Sequence, residues 1–197
     1  LNWNSTVEDS GQIEVRQGAC LVLEAQNVFG WGAVDELHQR KVLVVDGGEV
    51  EISTAENYIR RTIELKNGAT LACPATNSTV YFSRGATIEV TEGEATLSGM
   101  LNISCDTAGD RVGKGATIRI NADATLNIPS TIVHGKHENI FPLTFTGGGT
   151  AILTGANTYH NYTKTIVDEG TTLVMNGSHI APGENTIEPY TIKAGAT

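Results

Sequence analysis

A chain of 197 residues is long enough to bury one substantial core without cofactors or staples, and a single domain over 1–197 is the expectation. Charged residues make up only 18% and aromatics 6%, against 22 glycines, which disfavours long charged helices and suits short strands joined by tight turns. The formal net charge of −9, without a long Lys/Arg run, excludes nucleic acid and other polyanions as partners, and no apolar run approaches the roughly 20 residues that cross a bilayer as a helix.

In chain order, one pattern returns: an apolar pair at alternate positions, a glycine corner with a small residue after it, and a second apolar pair. Alternate residues of a strand share a face, and glycine supplies the corner. The first unit is Ile13/Val15, Gly18-Ala19, Leu21/Leu23, and the second is Val42/Val44, Gly47-Gly48, Val50/Ile52. Then come Ile63/Leu65, Gly68-Ala69, Leu71/Cys73 and Val80/Phe82, Gly85-Ala86, Ile88/Val90. Val112, Gly115-Ala116, Ile118/Ile120 runs directly into Asp123-Ala124, Leu126/Ile128. Leu143/Phe145, Gly148-Gly149, Ala151/Leu153 follows, then Thr165/Val167, Gly170-Thr171, Leu173/Met175, and finally Tyr190/Ile192, Gly195-Ala196.

A repeat of this kind, at spacings of about 17 to about 33 residues, is the mark of a solenoid in which no unit buries its own face alone. Ile88/Val90 and Ile118/Ile120 have corners on both sides, which points to three strands per coil. The expected fold is all-β: a right-handed parallel β-helix of about eight coils, without terminal caps, whose strand edges favour end-to-end self-association. Small residues just past each corner mark close approach of the backbone to the interior. The outward position after them is Thr70, Thr87, Thr117, Thr125, Thr150, Thr172 and Thr197, which in register forms one threonine ladder, suited to an exposed sheet face.

The longer intervals, Ala25 to Lys41, Asp106 to Gly113 and Thr131 to Pro142, read as insertions. The first, with Phe29 and Trp31 followed by a short helical stretch to His38, supplies the binding candidates Phe29, Trp31 and His38, since exposed aromatics stack on sugars; the plainer reading is an aromatic plug over the solenoid. His134-x-x-His137-Glu138 has the residue types of a metal site, but zinc takes about three protein ligands in fixed geometry, and a polar loop is the plainer reading. No cofactor is expected. Three cysteines exclude a disulfide scaffold; Cys73 and Cys105 share inward parity, which leaves one bridge between them open. The five glycosylation sequons, among them Asn102-Ile103-Ser104, are what an Asn/Thr/Ser-rich solenoid generates by chance.

Asp46, Glu49 and Glu51, with Arg61 from the next coil, are the nearest approach to a polysaccharide-cleaving cluster; their plainer role is to keep a sheet edge soluble. No nucleophile elbow or phosphate-binding glycine motif is present.

Gly149-Thr150, Leu153-Thr154-Gly155-Ala156-Asn157-Thr158-Tyr159 and Gly170-Thr171-Thr172-Leu173 resemble the passenger-associated β-strand repeat of bacterial autotransporters. His160-Asn161-Tyr162 stands where that repeat has its glycine turn, and the match covers about thirty residues. The resemblance implies a β-helix excised from a longer exported protein, at the bacterial surface or secreted, that acts as a stalk, spacer or adhesive surface toward a host or matrix glycan or protein. It carries over no catalytic residue. The alternative reading is a carbohydrate-active β-helix with a site on its outer face.

Overall fold

In the computed structural model, residues 12–25, 41–53, 56–74, 79–82, 85–103, 115–134, 141–158, 163–176, 179–180 and 190–197 are described. Among them are twenty strands, β1 to β20 in chain order, and no helix. Every strand pairing is parallel. The molecule is a parallel β-solenoid.

One sheet has eight strands: β1 (Ile13–Arg16), β3 (Lys41–Asp46), β6 (Thr62–Lys66), β9 (Thr87–Glu92), β11 (Ala116–Ile120), β14 (Phe141–Thr146), β17 (Thr163–Val167) and β20 (Tyr190–Ile192). The other has twelve strands and two arms. The first arm runs β2 (Cys20–Leu23), β4 (Glu49–Ile52), β7 (Ala69–Cys73), β10 (Glu94–Ile103), β12 (Thr125–Ile128), β15 (Thr150–Leu153) and β18 (Thr172–Met175). The second runs β5 (Glu56–Ile59), β8 (Thr79–Phe82), β10 again, β13 (Thr131–His134), β16 (Asn157–Thr158) and β19 (His179–Ile180). Strand β10 belongs to both arms because Gly99, at φ +94°, bends it: Gly99 lies opposite Cys73 in one arm and Leu101 opposite Val80 in the other.

Stacked apolar columns hold the sheets together. In the eight-stranded sheet Ile13, Leu43, Ile63, Ile88, Ile118, Phe145 and Val167 lie in register from strand to strand. Ile63, Leu65, Leu71 and Cys73 are fully buried, as the repeat pattern requires. Each such aliphatic side chain contributes about 1.5–3 kcal/mol on burial. Past the inner corners the expected small residues are also inside: Ala69, Ala124 and Thr171 are buried, and a Cβ on Gly48 would stand 2.7 Å from the Arg16 carbonyl oxygen, whereas Ala19, past the first corner, is exposed. The corners are tied from one strand layer to the next by backbone bonds, such as Gly47 N–H to Lys66 O at 3.0 Å and Thr172 N–H to Gly149 O at 2.9 Å.

Two sequence expectations are corrected. On β3 the inward pair is Leu43 and Val45, both fully buried, not Val42 and Val44. The single threonine ladder is two: Thr62, Thr87, Thr117 and Thr144 are in register on the eight-stranded sheet, whereas Thr125, Thr150 and Thr172 are in register on the first arm, where Thr197 Oγ1 lies 3.0 Å from Thr172 Oγ1. Thr70 faces Glu49 and Thr96 instead. Cys73, for which a bridge was left open above, is a free buried thiol; burial pushes its pKa up to about 12, so little nucleophilic thiolate forms. Cys105 itself lies outside the described residues.

Candidate functional surface

The outward face of the eight-stranded sheet gathers charge. Glu14, Val44, Glu64, Glu89, Arg119 and Thr146 occupy one register column across β1, β3, β6, β9, β11 and β14. Parallel strands lie about 4.8 Å apart, so charges in such a column are neighbours. Lys41, from the start of β3, donates to Glu64 and stands 3.4 Å from Glu89. Arg119 approaches Glu89 from the other side at 3.7 Å, and Thr91 Oγ1 donates to Glu64 at 2.7 Å. Along the same face Lys66 lies 3.4 Å from Asp46, Arg16 lies 3.0 Å from Glu14, and Lys193 lies 2.5 Å from Asp168.

These contacts set the charge states. Burial alone would raise the Glu64 carboxyl, yet the hydrogen bonds from Lys41 and Thr91, with the lysine charges, hold it below the ordinary carboxylate value. Burial likewise would lower the Lys41 ammonium, and the hydrogen bond and charge of Glu64, with Glu89, hold it above. Asp46 is held low by the hydrogen bond from Asn67 and by Lys66, and Asp168 by Lys193 and Thr146. A carboxyl with a depressed native pKa stabilises the fold above its unfolded value of about 4, and that contribution disappears as pH falls through the native value. The raised lysine acts oppositely and loses its contribution only above about pH 10. The melting temperature is therefore expected to fall between about pH 5 and pH 3, and Glu64→Gln to flatten that fall. Identical pH profiles for wild type and E64Q in thermal melts would refute the assignment.

Of the carboxylates that came nearest to a chemical cluster in the sequence, Asp46 stands on a different sheet from Glu49 and Glu51. Asp46 ends β3 on the eight-stranded sheet, where Asn67 and Lys66 hold it, while Glu49 and Glu51 stand on β4 of the other sheet, beyond the Gly47-Gly48 corner. Arg61 precedes β6 and its carbonyl accepts the Thr87 N–H at 3.2 Å. A carboxylate already engaged and kept ionised is poorly suited to general acid work.

Phe29, Trp31, His38, His137 and Glu138 lie outside the described residues. The backbone of His134 closes a strand, β13, in register with Ile103, and so does not stand on a loop. No group of three His, Cys, Asp or Glu side chains is assembled among the described residues. A cavity of about 10 Å³ lined by Phe82, Ile88, Leu97, Leu101 and Leu143 is a packing gap in the core, apolar and no larger than one water.

Sequence reasoning missed the Lys41, Glu64, Glu89, Arg119 network. The available signal was parity: each of the three later residues occupies the outward position between two inward apolar residues of its repeat. Comparison with family models, with curated proteins and with solved structures finds no match to this chain.

Proposed function

We propose that this chain is a non-enzymatic β-helical segment of a larger bacterial surface or secreted protein, resembling an autotransporter passenger and serving as a stalk, spacer or adhesive surface. The observation that carries the reading is the self-paired outer face: the ionised side chains of Glu14/Arg16, Lys41/Glu64, Asp46/Lys66, Glu89/Arg119 and Asp168/Lys193 are engaged with one another across or along the strands. Such a wall stiffens a rod and offers no convergent acid and base. The repeat near Gly149 to Leu173 supports an exported protein, hence an extracellular or cell-surface location, with a host or matrix glycan or protein as the partner of an adhesive face.

The finer architecture in this proposal is a right-handed helix with three strands per coil and about eight coils. Its support is the order in which the chain visits the ladders. Strands β6, β7, β8 and β9 fall successively on the eight-stranded sheet, the first arm, the second arm and the eight-stranded sheet again. Crossover connections between parallel strands of one sheet are right-handed in about 98% of cases.

Sequencing the gene on both sides of this segment tests the reading. An upstream signal peptide and a downstream membrane β-barrel segment are the expected result. Their joint absence overturns the autotransporter assignment, and turnover on a polysaccharide panel that is abolished by Glu49→Ala overturns the non-enzymatic one.

A further inference from the structure

Two Asn-Gly pairs occur in the chain, Asn67-Gly68 and Asn176-Gly177. Glycine after asparagine leaves the peptide nitrogen open to attack on the side-chain amide, the route by which asparagine deamidates. Asn67 and Gly68 sit at an exposed corner, both in left-handed conformations, φ 54° and 86°, with open space where a Cβ on Gly68 would stand. By composition and exposure this is a reactive pair.

The geometry opposes the reaction. The nucleophile, Gly68 N–H, donates to Glu94 O at 2.7 Å, and the preceding Asn67 N–H donates to Glu92 O at 3.0 Å, so both amides are tied to the next strand layer. The leaving group is tied as well: Asn67 Nδ2 donates to Asp46 Oδ1 at 2.8 Å, toward the preceding layer. On the far side, a Cβ on Gly93 would stand 3.6 Å from Asn67 Oδ1, so the exposed amide lies beside the corner of the next layer. We propose that Asn67 is a modification site gated by the fold: a succinimide forms there only when the corner opens.

The chemistry balances without a cofactor. Gly68 N forms a bond to Asn67 Cγ and loses its proton, the Cγ–Nδ2 bond breaks, and ammonia leaves. Water then opens the imide to aspartate or isoaspartate. Neither product can donate to Asp46, and each adds a carboxylate where the tether stood, so the corner cannot reclose as before. The modification thus records time spent open, and it applies to any layer whose opening frees this corner.

Peptide mapping of the native protein held at neutral pH, against the same chain in denaturant, reads the rate at each pair. Asn67 is expected to deamidate at least about tenfold more slowly in the native protein than in the denatured chain. Asp46→Ala should accelerate Asn67 several-fold while leaving Asn176 unchanged, and Asp46→Asn, which keeps an acceptor oxygen, should restore slow reaction. Equal rates at Asn67 in native and denatured chains, or D46A indistinguishable from wild type, overturn the proposal. Should D46A unfold, far-ultraviolet circular dichroism reports it, and the native-to-denatured ratio at Asn67 in the wild type decides.

Discussion

Gly99→Ala is expected to prevent folding. A Cβ at that position would stand 1.6 Å from the Cys73 carbonyl oxygen and 2.3 Å from its carbonyl carbon. Both are backbone atoms of the paired strand β7, so no side-chain rotation relieves the collision. Gly99 also bends β10 at φ +94°, a conformation that costs an L residue further. The combined penalty is expected to exceed about 4 kcal/mol, a large share of the 5–15 kcal/mol that holds a typical domain together. Gly18→Ala separates the two causes: Gly18 has φ +79° but nothing within 4 Å of its Cβ position, so it should lose only about 1–2 kcal/mol. Gly115, where a Cβ would meet Pro142 O at 1.7 Å without a left-handed φ, supplies the opposite control. Soluble yield and far-ultraviolet circular dichroism read the outcome. A folded G99A within about 1 kcal/mol of wild type would show that β7 and β10 do not approach as described.

The close approach at Gly99 could not be read from the sequence, although much around it could. Ile63/Leu65 and Leu71/Cys73 alternate with polar residues, so period two fixes both their strand state and their phase. Lys41–Asp46 has four consecutive apolar residues, Val42 to Val45, and a run of that kind carries no phase of its own. Pairing supplies it: Leu43 lies between Ile13 and Ile63, and Val45 between Val15 and Leu65, which turns the expected face over by one residue. The threonines failed for a related reason. Gly85 and Gly115 precede strands of the eight-stranded sheet, whereas Gly68, Gly148 and Gly170 follow them, so Thr87 and Thr117 land on a different sheet from Thr150 and Thr172. Identical local sequence, glycine and a small residue before threonine, serves two kinds of corner.

The surface network was less legible still. Lys41, Glu64, Glu89 and Arg119 are scattered over almost eighty residues and become neighbours only once register is known. The corner at Asp123 was legible, by contrast: Asp123-Ala124-Thr125 fills the place of glycine and a small residue before threonine, and Asp123 holds φ 68° there, which aspartate tolerates better than a β-branched residue does.

Phe145→Ala is expected to be the most costly truncation among the core side chains. Phe145 heads the fully buried residues by volume, and it stands in register between Ile118 on β11 and Val167 on β17. Removing a buried phenyl ring costs about 3–5 kcal/mol through lost transfer energy and an unfilled cavity. Collapse is restricted here because the backbone above and below is fixed by parallel pairing: Gly147 already lies so close that a Cβ on it would meet Ile120 O at 2.4 Å. Phe145→Leu retains most of the fill and should cost less than half as much. In a stack where each layer touches only its neighbours, damage should also be local. Hydrogen exchange is therefore expected to speed first at β11, β14 and β17, with β1 and β3 protected until global unfolding. Unchanged denaturant midpoints for F145A would mean that Phe145 is not packed as described. Equal loss of protection at β1 and β17 would instead mean that the chain opens as one cooperative unit, with coupling that reaches well beyond adjacent strands.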